Sequence, residues 1–170
     1  MTVLSQQFFQ KDVLEVAPSL IGKCLVRKYA NNTIQKFLIT ETEAYRGEED
    51  LACHASKGRT TRTEIMYQKG GTIYIYLIYG MYWMLNIVTE KENIPQAVLI
   101  RGIENYNGPG KLTKVLEIDK SLNGNTLCKR NGLWVEDYGI IPKITTATRI
   151  GINYAGKEWV EKPWRFILNE

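Results

Sequence analysis

This chain predicts an α+β fold in one domain, built on a mostly antiparallel, curved β-sheet with short helices around it. Short apolar runs rich in Ile, Val and Tyr outnumber helical stripes. Tight-turn signals such as Asn31-Asn32 and Tyr79-Gly80 join those runs, as antiparallel neighbours require. The 170 residues, 44% hydrophobic and 24% charged, suit one globular core. No repeat, low-complexity tract or long linker divides residues 1–170.

The elements follow in order. Val13, Leu14, Ala17, Leu20 and Ile21 recur at helical spacing, with Asp12 placed to cap the start and Gly22 to end it. Pro18 removes one backbone donor from that span. "KCLVRKY" and "TIQKFLITETEAY" then read as a hairpin turning at Asn31-Asn32. A loop through "RGEED" leads to short helical pieces in "LACHAS" and "TTRTEIMY". Thr72–Ile78 and Met81–Thr89 form a second hairpin around Tyr79-Gly80, and "QAVLIRGIE" is a further strand. "GPGKLTKVLEI" enters a helix through glycines, with Leu112, Val115 and Leu116 as its apolar face. Short strands around "GLWVEDY", "KITTATRIGI" and "WRFIL" finish the chain.

Bulk properties exclude several classes. The run from Gly71 to Val88 is shorter than the roughly 20 residues a spanning helix needs, and it is rich in β-forming Tyr and Ile. No basic, apolar, small-residue sequence of a secretory signal opens the chain. Cys24, Cys53 and Cys128 are odd in number and widely spaced, which fits a reducing, intracellular setting better than a disulfide framework or a zinc site. A net charge of +4 is compatible with a polyanionic partner without establishing one.

Several side chains could carry chemistry. Glu41 and Glu43 stand two apart in a strand and so share a face. They are either a solvated pair held by ion pairs or an acid or base at a strand end. His54, the single histidine, lacks companions for a metal site and fits a structural or base-reading role better. Arg59 and Arg62 sit among threonines, a grouping that suits phosphate oxygens or a solvated loop. "GPGKL" places Lys111 at a helix N-terminus, without the glycine spacing of a phosphate loop.

In series, the blocks "GKCLVR", "ETEAYRGEEDLACHASKGRTTRT", "MYQKGGTIYIYLIYGMYWMLNIV", "AVLIRGIE", "GPGKL" and "TRIGINYAGKEWVEKPWRF" closely resemble the alkyladenine (3-methyladenine) DNA glycosylase family, from about Phe8 to Phe166. The resemblance implies a monomeric enzyme of damaged double-stranded DNA, with no membrane association and neither metal nor organic cofactor. Such an enzyme flips an alkylated or deaminated purine out of the duplex and hydrolyses its N-glycosidic bond. The compartment is that of DNA, cytoplasm or nucleus by cell type.

By position, Glu43 matches the family's general base, and Arg101 a residue beside it whose charge would keep that carboxylate ionised. Tyr45, His54 and Tyr76 match the base pocket, where aromatic faces suit a cationic alkylated ring. Asn86 matches the position that crowds the 2-amino group of normal guanine; the alternative is a satisfied interior amide. Tyr79 matches the ring that fills the gap left in the duplex, on a protruding hairpin, with Met81 and Tyr82 beside it to touch flanking bases. Lys111, Arg59 and Arg62 are the candidate phosphate contacts. Only "NYN" separates "LIRGIE" from "GPGKL", shorter than the family pattern, which bears on the DNA footprint rather than on Glu43. A binding module that has lost catalysis, and a carbohydrate hydrolase using Glu41 with Glu43, are the competing readings.

Overall fold

The computed structural model describes residues 1–169. Strands β1 (Thr2–Val3), β2 (Cys24–Lys28), β3 (Ile34–Tyr45), β4 (Ile73–Ile78), β5 (Tyr82–Thr89), β6 (Gln96–Ile103), β7 (Tyr106–Asn107), β8 (Leu133–Asp137), β9 (Ile144–Ala147) and β10 (Arg165–Leu168) form one 10-stranded sheet. Its main path runs β1-β8-β2-β3-β6-β5-β4, and every pairing is antiparallel. The helices are short: α1 (Val13–Leu20), α2 (Pro109–Val115) and α3 (Lys157–Val160), with 3-10 turns between. The α+β class and the antiparallel sheet are as the sequence predicts.

Helix α1 begins where the Asp12 side chain accepts from the Leu14 amide at 2.9 Å. Its Val13, Val16, Ala17 and Leu20 are buried. Pro18 contributes no backbone donor, and the helix ends two residues later at Leu20. Helix α2 stops at Val115, earlier than the apolar stripe suggests, because Glu117 turns to φ 50°.

Strand β3, 12 residues long, organises the sheet. One edge takes β2 along Ile34–Leu38 and then β10 along Glu41–Glu43, while β6 lies on the other edge. Alternation then splits the neighbouring strands between two faces. Ile73 and Ile75, Leu85 and Ile87, and Val98 and Ile100 join the main core with α1 and α2. Their alternates Tyr74, Val88 and Ala97 join a second cluster with Cys53, Ala55 and Met66, against which Tyr45 and Tyr76 pack. This second face carries the site.

The outer edge of β4 is partly covered by an irregular segment. Asn123 Oδ1 accepts from the Ile75 amide, and the Ile73 amide donates to the Asn125 carbonyl. Beyond Ile75 the hairpin projects, with Leu77, Tyr79, Met81 and Tyr82 exposed. No helix among the described residues is long and apolar enough to cross a membrane.

Candidate active site

Strands β3 and β6 bring the charged groups together. Glu41, Glu43 and Tyr45 point to one face of β3, and Arg101 of β6 meets both carboxylates, with its Nε 3.3 Å from Glu41 Oε1 and 3.5 Å from Glu43 Oε1. The register is irregular here: Glu41 pairs Gly102 while Thr42 pairs Ile100, so Arg101 falls inside a bulge that aims its side chain across the strands. Arg165 of β10 donates to Glu41 Oε1 at 2.9 Å. Glu41 is therefore held by two guanidinium groups, the ion-paired alternative for that residue.

Glu43 is different. Its side chain has 0% exposure. Tyr45 Oη donates to Oε2 at 2.6 Å, and the Ile150 amide donates to Oε1 at 3.0 Å. Burial pushes the Glu43 pKa up, and it outweighs the hydrogen bonds from Tyr45 and Ile150 and the charges of Arg101 and Arg149, all of which pull it down. The charge of Arg101 acts on Glu43 in the direction the sequence leads one to expect, toward the carboxylate. Desolvation prevails in the net shift.

In front of these groups opens a cavity of about 410 Å³, lined by Tyr45, His54, Tyr74, Tyr76, Asn86 and Arg101 among others. Glu43 stands directly behind its wall, touching three lining residues: Tyr45, Arg101 and Ile150. The aromatic side is a tight cluster. His54 lies 4.5 Å from Tyr76 and 6.1 Å from Tyr74, centroid to centroid, both edge to face. His54 Nδ1 shares a 3.0 Å hydrogen bond with Tyr74 Oη. Burial, reinforced by Arg62 and Lys57, lowers the His54 pKa to about 4, so the imidazole is neutral at physiological pH. Asn86 is 3% exposed and its Nδ2 donates to the Tyr74 and Met84 carbonyls at 3.3 and 3.4 Å, which holds the amide at the cavity floor.

At the outer end stands the hairpin tip. Tyr79 and Gly80 have φ 51° and 65°, and the Met81 amide donates to the Ile78 carbonyl at 3.0 Å. Two successive positive φ angles make this the primed class of hairpin turn. Gly80 meets that demand freely, whereas Tyr79 does so against the steric preference of an L side chain. The Tyr79 ring is 86% exposed. Tyr82, in the strand pair next to the tip, packs so closely on α2 that a Cβ at Gly110 would lie 2.7 Å from its ring.

The remaining candidates divide. Arg62 places its guanidinium carbon 5.2 Å from the Tyr76 centroid, beside the aromatic cluster. Lys111 is exposed in the first turn of α2, whose Pro109 lines the cavity. Arg59 is drawn elsewhere. It donates to Asn93 Oδ1 at 2.6 Å, pairs with Glu64 at 3.4 Å and stacks on Tyr67 at 4.4 Å, bordering a separate surface depression.

Sequence reasoning missed Tyr74, Ile150 and Tyr154. Tyr74 could have been found from its alternation with Tyr76 on one strand face. Ile150 acts through its backbone amide, which leaves no residue-type signal. Tyr154 lines the cavity mouth and is tethered by its hydroxyl to the Ala52 carbonyl at 2.9 Å.

An aromatic cavity backed by a buried carboxylate, with an exposed ring on a projecting turn beside it, is the kind of site used by proteins that act on a base taken out of the stack. Comparison with known proteins makes the class specific. The family model described as Methylpurine-DNA glycosylase (MPG) matches residues 7–170, and the chain belongs to that family. A protein of Methanocella arvoryzae is 44% identical over 98% of this chain and 92% of its own length. One from Rickettsia felis is 45% identical over 99% and 94%, and one from Sodalis glossinidius is 46% identical over 97% and 96%. All three carry the name "Putative 3-methyladenine DNA glycosylase".

Proposed function

We propose that this chain is a monofunctional DNA glycosylase, acting as a monomer, that removes alkylated or deaminated purines of the 3-methyladenine, hypoxanthine and ethenoadenine class from duplex DNA. The carrying observation is the placement of Glu43 directly behind the wall of an aromatic cavity, held by Tyr45, Ile150 and Arg101.

The lesion enters between Tyr45, Tyr76 and His54, whose ring faces suit a planar base by stacking and tolerate several lesion shapes. Neutral His54 offers one donor and one acceptor to the base edge or to Tyr74. Asn86 limits the room at the cavity floor, which disfavours a guanine 2-amino group. Tyr79 fills the gap the flipped nucleotide leaves, with Met81 and Tyr82 against neighbouring bases. Arg62 and Lys111 meet phosphate oxygens.

Hydrolysis then needs a water between Glu43 and the sugar. Glu43 in its carboxylate form takes a proton from that water, the oxygen bonds to C1′, and the C1′–N bond breaks with its electron pair leaving on the base. Negative charge behind C1′ also favours the oxocarbenium-like transition state. The raised pKa makes the carboxylate a stronger base than an exposed glutamate. Glu43 is enclosed, and the residues between it and the cavity are Tyr45, Arg101 and Ile150, the last 47% exposed at the cavity rim. A water nucleophile leaves an abasic site with the strand intact.

The test is a duplex carrying a single hypoxanthine, ethenoadenine or 3-methyladenine, followed by alkaline cleavage of abasic sites. Release of at least one base by the wild type, and none by Glu43→Gln with DNA binding retained, is expected. Near-normal turnover in Glu43→Gln would overturn the assignment of the base. Binding without release on every lesion would favour the catalytically dead binding module.

A further inference from the structure

Behind the cavity wall lies a second charged pair that the proposed reaction does not use. Arg149 and Asp50 form an ion pair whose side chains both have 0% exposure. Arg149 Nη2 donates to Asp50 Oδ1 at 3.0 Å, and Nη1 donates to the other carboxylate oxygen. Neither residue lines the cavity, so neither is placed to touch a substrate. Their connections nonetheless converge on it.

Arg149 Nη1 also donates to the carbonyl of Ala44, the residue between Glu43 and Tyr45, at 3.0 Å. Its guanidinium carbon sits 5.0 Å from the Tyr45 ring centroid and 4.9 Å from that of Trp164. The next residue is Ile150, whose amide donates to Glu43. On the other side, Asp50 accepts from the Arg46 amide at 3.0 Å and the Ala52 amide at 3.1 Å. That fixes the loop from β3 to His54 and, through the Ala52 carbonyl, the anchor of Tyr154.

We infer that Arg149 and Asp50 are the positioning pair of the Glu43 base, holding the Ile150 amide and the Tyr45 hydroxyl on its two oxygens. The inference rests on the reading of Glu43 as the base. Stability alone gives little reason for such a pair, since replacing a buried ion pair by apolar groups is often neutral or favourable. Here Arg149 Nε is buried without an acceptor, a further cost that a purely structural filler would avoid. What the pair supplies is geometry: it joins β3, the 46–52 loop and the segment after β9 at one point behind the base.

The groups around Glu43 that could mimic the effect are few. Glu41 and Tyr45 lie on its own strand, Arg101 on β6, Tyr76 on β4, Arg165 on β10 acting through Glu41, and Tyr154 after β9. Arg149 also favours the carboxylate through its own charge, which Arg149→Lys keeps, and Asp50→Asn would by charge alone shift the limb the other way, so those two variants isolate the displaced amide and hydroxyl. Both of those bonds favour the carboxylate, so losing them raises the pH at which Glu43 becomes active.

The experiment compares wild type with Arg149→Lys, Arg149→Met and Asp50→Asn in single-turnover base release from a hypoxanthine duplex across pH. Leu25→Ala, a core truncation remote from the cavity, is the control for instability alone. The expected result is an acid limb displaced to higher pH and a maximal rate about a hundredfold lower in the Met variant, with part recovered in Lys. Affinity for undamaged duplex stays at the wild-type value, and Leu25→Ala keeps the wild-type limb. Asp50→Asn, isosteric with the native residue, reads the same limb if the Arg149 variants fail to fold.

In 15N-labelled wild type, the Ile150 amide shift should follow a carboxylate titration that vanishes in Glu43→Gln and moves with the limb in Asp50→Asn. An unmoved limb and an unmoved Ile150 titration in every folded variant would overturn the pair's role. Full turnover by Glu43→Gln would instead sink the reading of the base, a different result from a different variant.

Discussion

Tyr45 donates its phenolic proton to Glu43 across 2.6 Å, so one cavity-lining aromatic also serves as a hydrogen-bond partner of the candidate base. Burial and the neighbouring carboxylate raise the Tyr45 pKa well above its ordinary value, which keeps the phenol a donor throughout the working pH range. A wall of the cavity and a support for the candidate base are thus one side chain.

Tyr45→Phe separates those roles. The ring remains for stacking, but Glu43 loses the strongest hydrogen bond that opposes its burial. In the proposed mechanism the active form is the carboxylate, so activity falls as pH drops through the folded pKa, and without the phenol that fall begins at a higher pH. Base release is expected to drop about tenfold on the acid limb, the scale of one charge-assisted hydrogen bond of ~1.5 kcal/mol, and to recover toward alkaline pH. A uniform loss at every pH would show that the hydroxyl does not govern Glu43.

Glu43→Gln should stabilise the fold while abolishing release. Because the folded pKa is raised, ionisation of Glu43 opposes folding. That penalty is absent below the unfolded pKa and grows as pH climbs from there through the folded pKa. At pH 7 the variant is expected to melt higher by about 2–4 °C, the shift one kcal/mol produces in a chain of this size, with the gap closing toward pH 4. Thermal melts at the two pH values check it; a lower melting temperature at pH 7 contradicts it.

His54 predicts a slope of the opposite cause. Its folded pKa of about 4 lies below the ordinary 6.5, so between those values the unfolded chain binds the extra proton. Stability contributed by neutral His54 is full above pH 6.5 and is lost as pH falls toward 4. His54→Gln should flatten urea-derived stability over this window. An unchanged slope would mean that the imidazole is not held neutral.

At the hairpin tip, Tyr79→Asn creates Asn-Gly, the pair best suited to two positive φ angles. Thermal stability is expected to hold or rise by a few degrees. With Tyr79 as the proposed wedge, affinity for hypoxanthine duplex over undamaged duplex should nevertheless fall. Equal losses on both duplexes would assign Tyr79 to general DNA contact.

Much of this architecture was legible because strands write it in alternation. The hairpin from Ile73 to Thr89 and the shared face of Glu41 and Glu43 followed from spacing two, and Tyr74 would have followed by the same rule. Segment 117–131 was not legible, since it forms short 3-10 turns whose task, covering the β4 edge through Asn123, is set by its neighbour rather than by periodicity. The Asp50–Arg149 pair joins residues 99 positions apart, and the Ile150 contact uses an amide that every non-proline residue has. The net direction of the Glu43 pKa was not legible for a related reason. Arg101 is visible in a sequence, whereas the depth at which β10 and the segment after β9 bury a carboxylate is not.

The alternation of β4, β5 and β6 also sets what can change in this enzyme without harm. Tyr74, Asn86, Ala97 and Leu99 face the cavity, while Ile73, Ile87, Val98 and Ile100 hold the main core from the opposite side. A substitution at one of the first four alters the shape of the cavity and leaves packing beneath the sheet almost untouched. Effects on the two sides should combine additively, because the residues share few partners. Selection can therefore reshape the cavity by steps of two along three strands, on a scaffold whose stability is maintained separately.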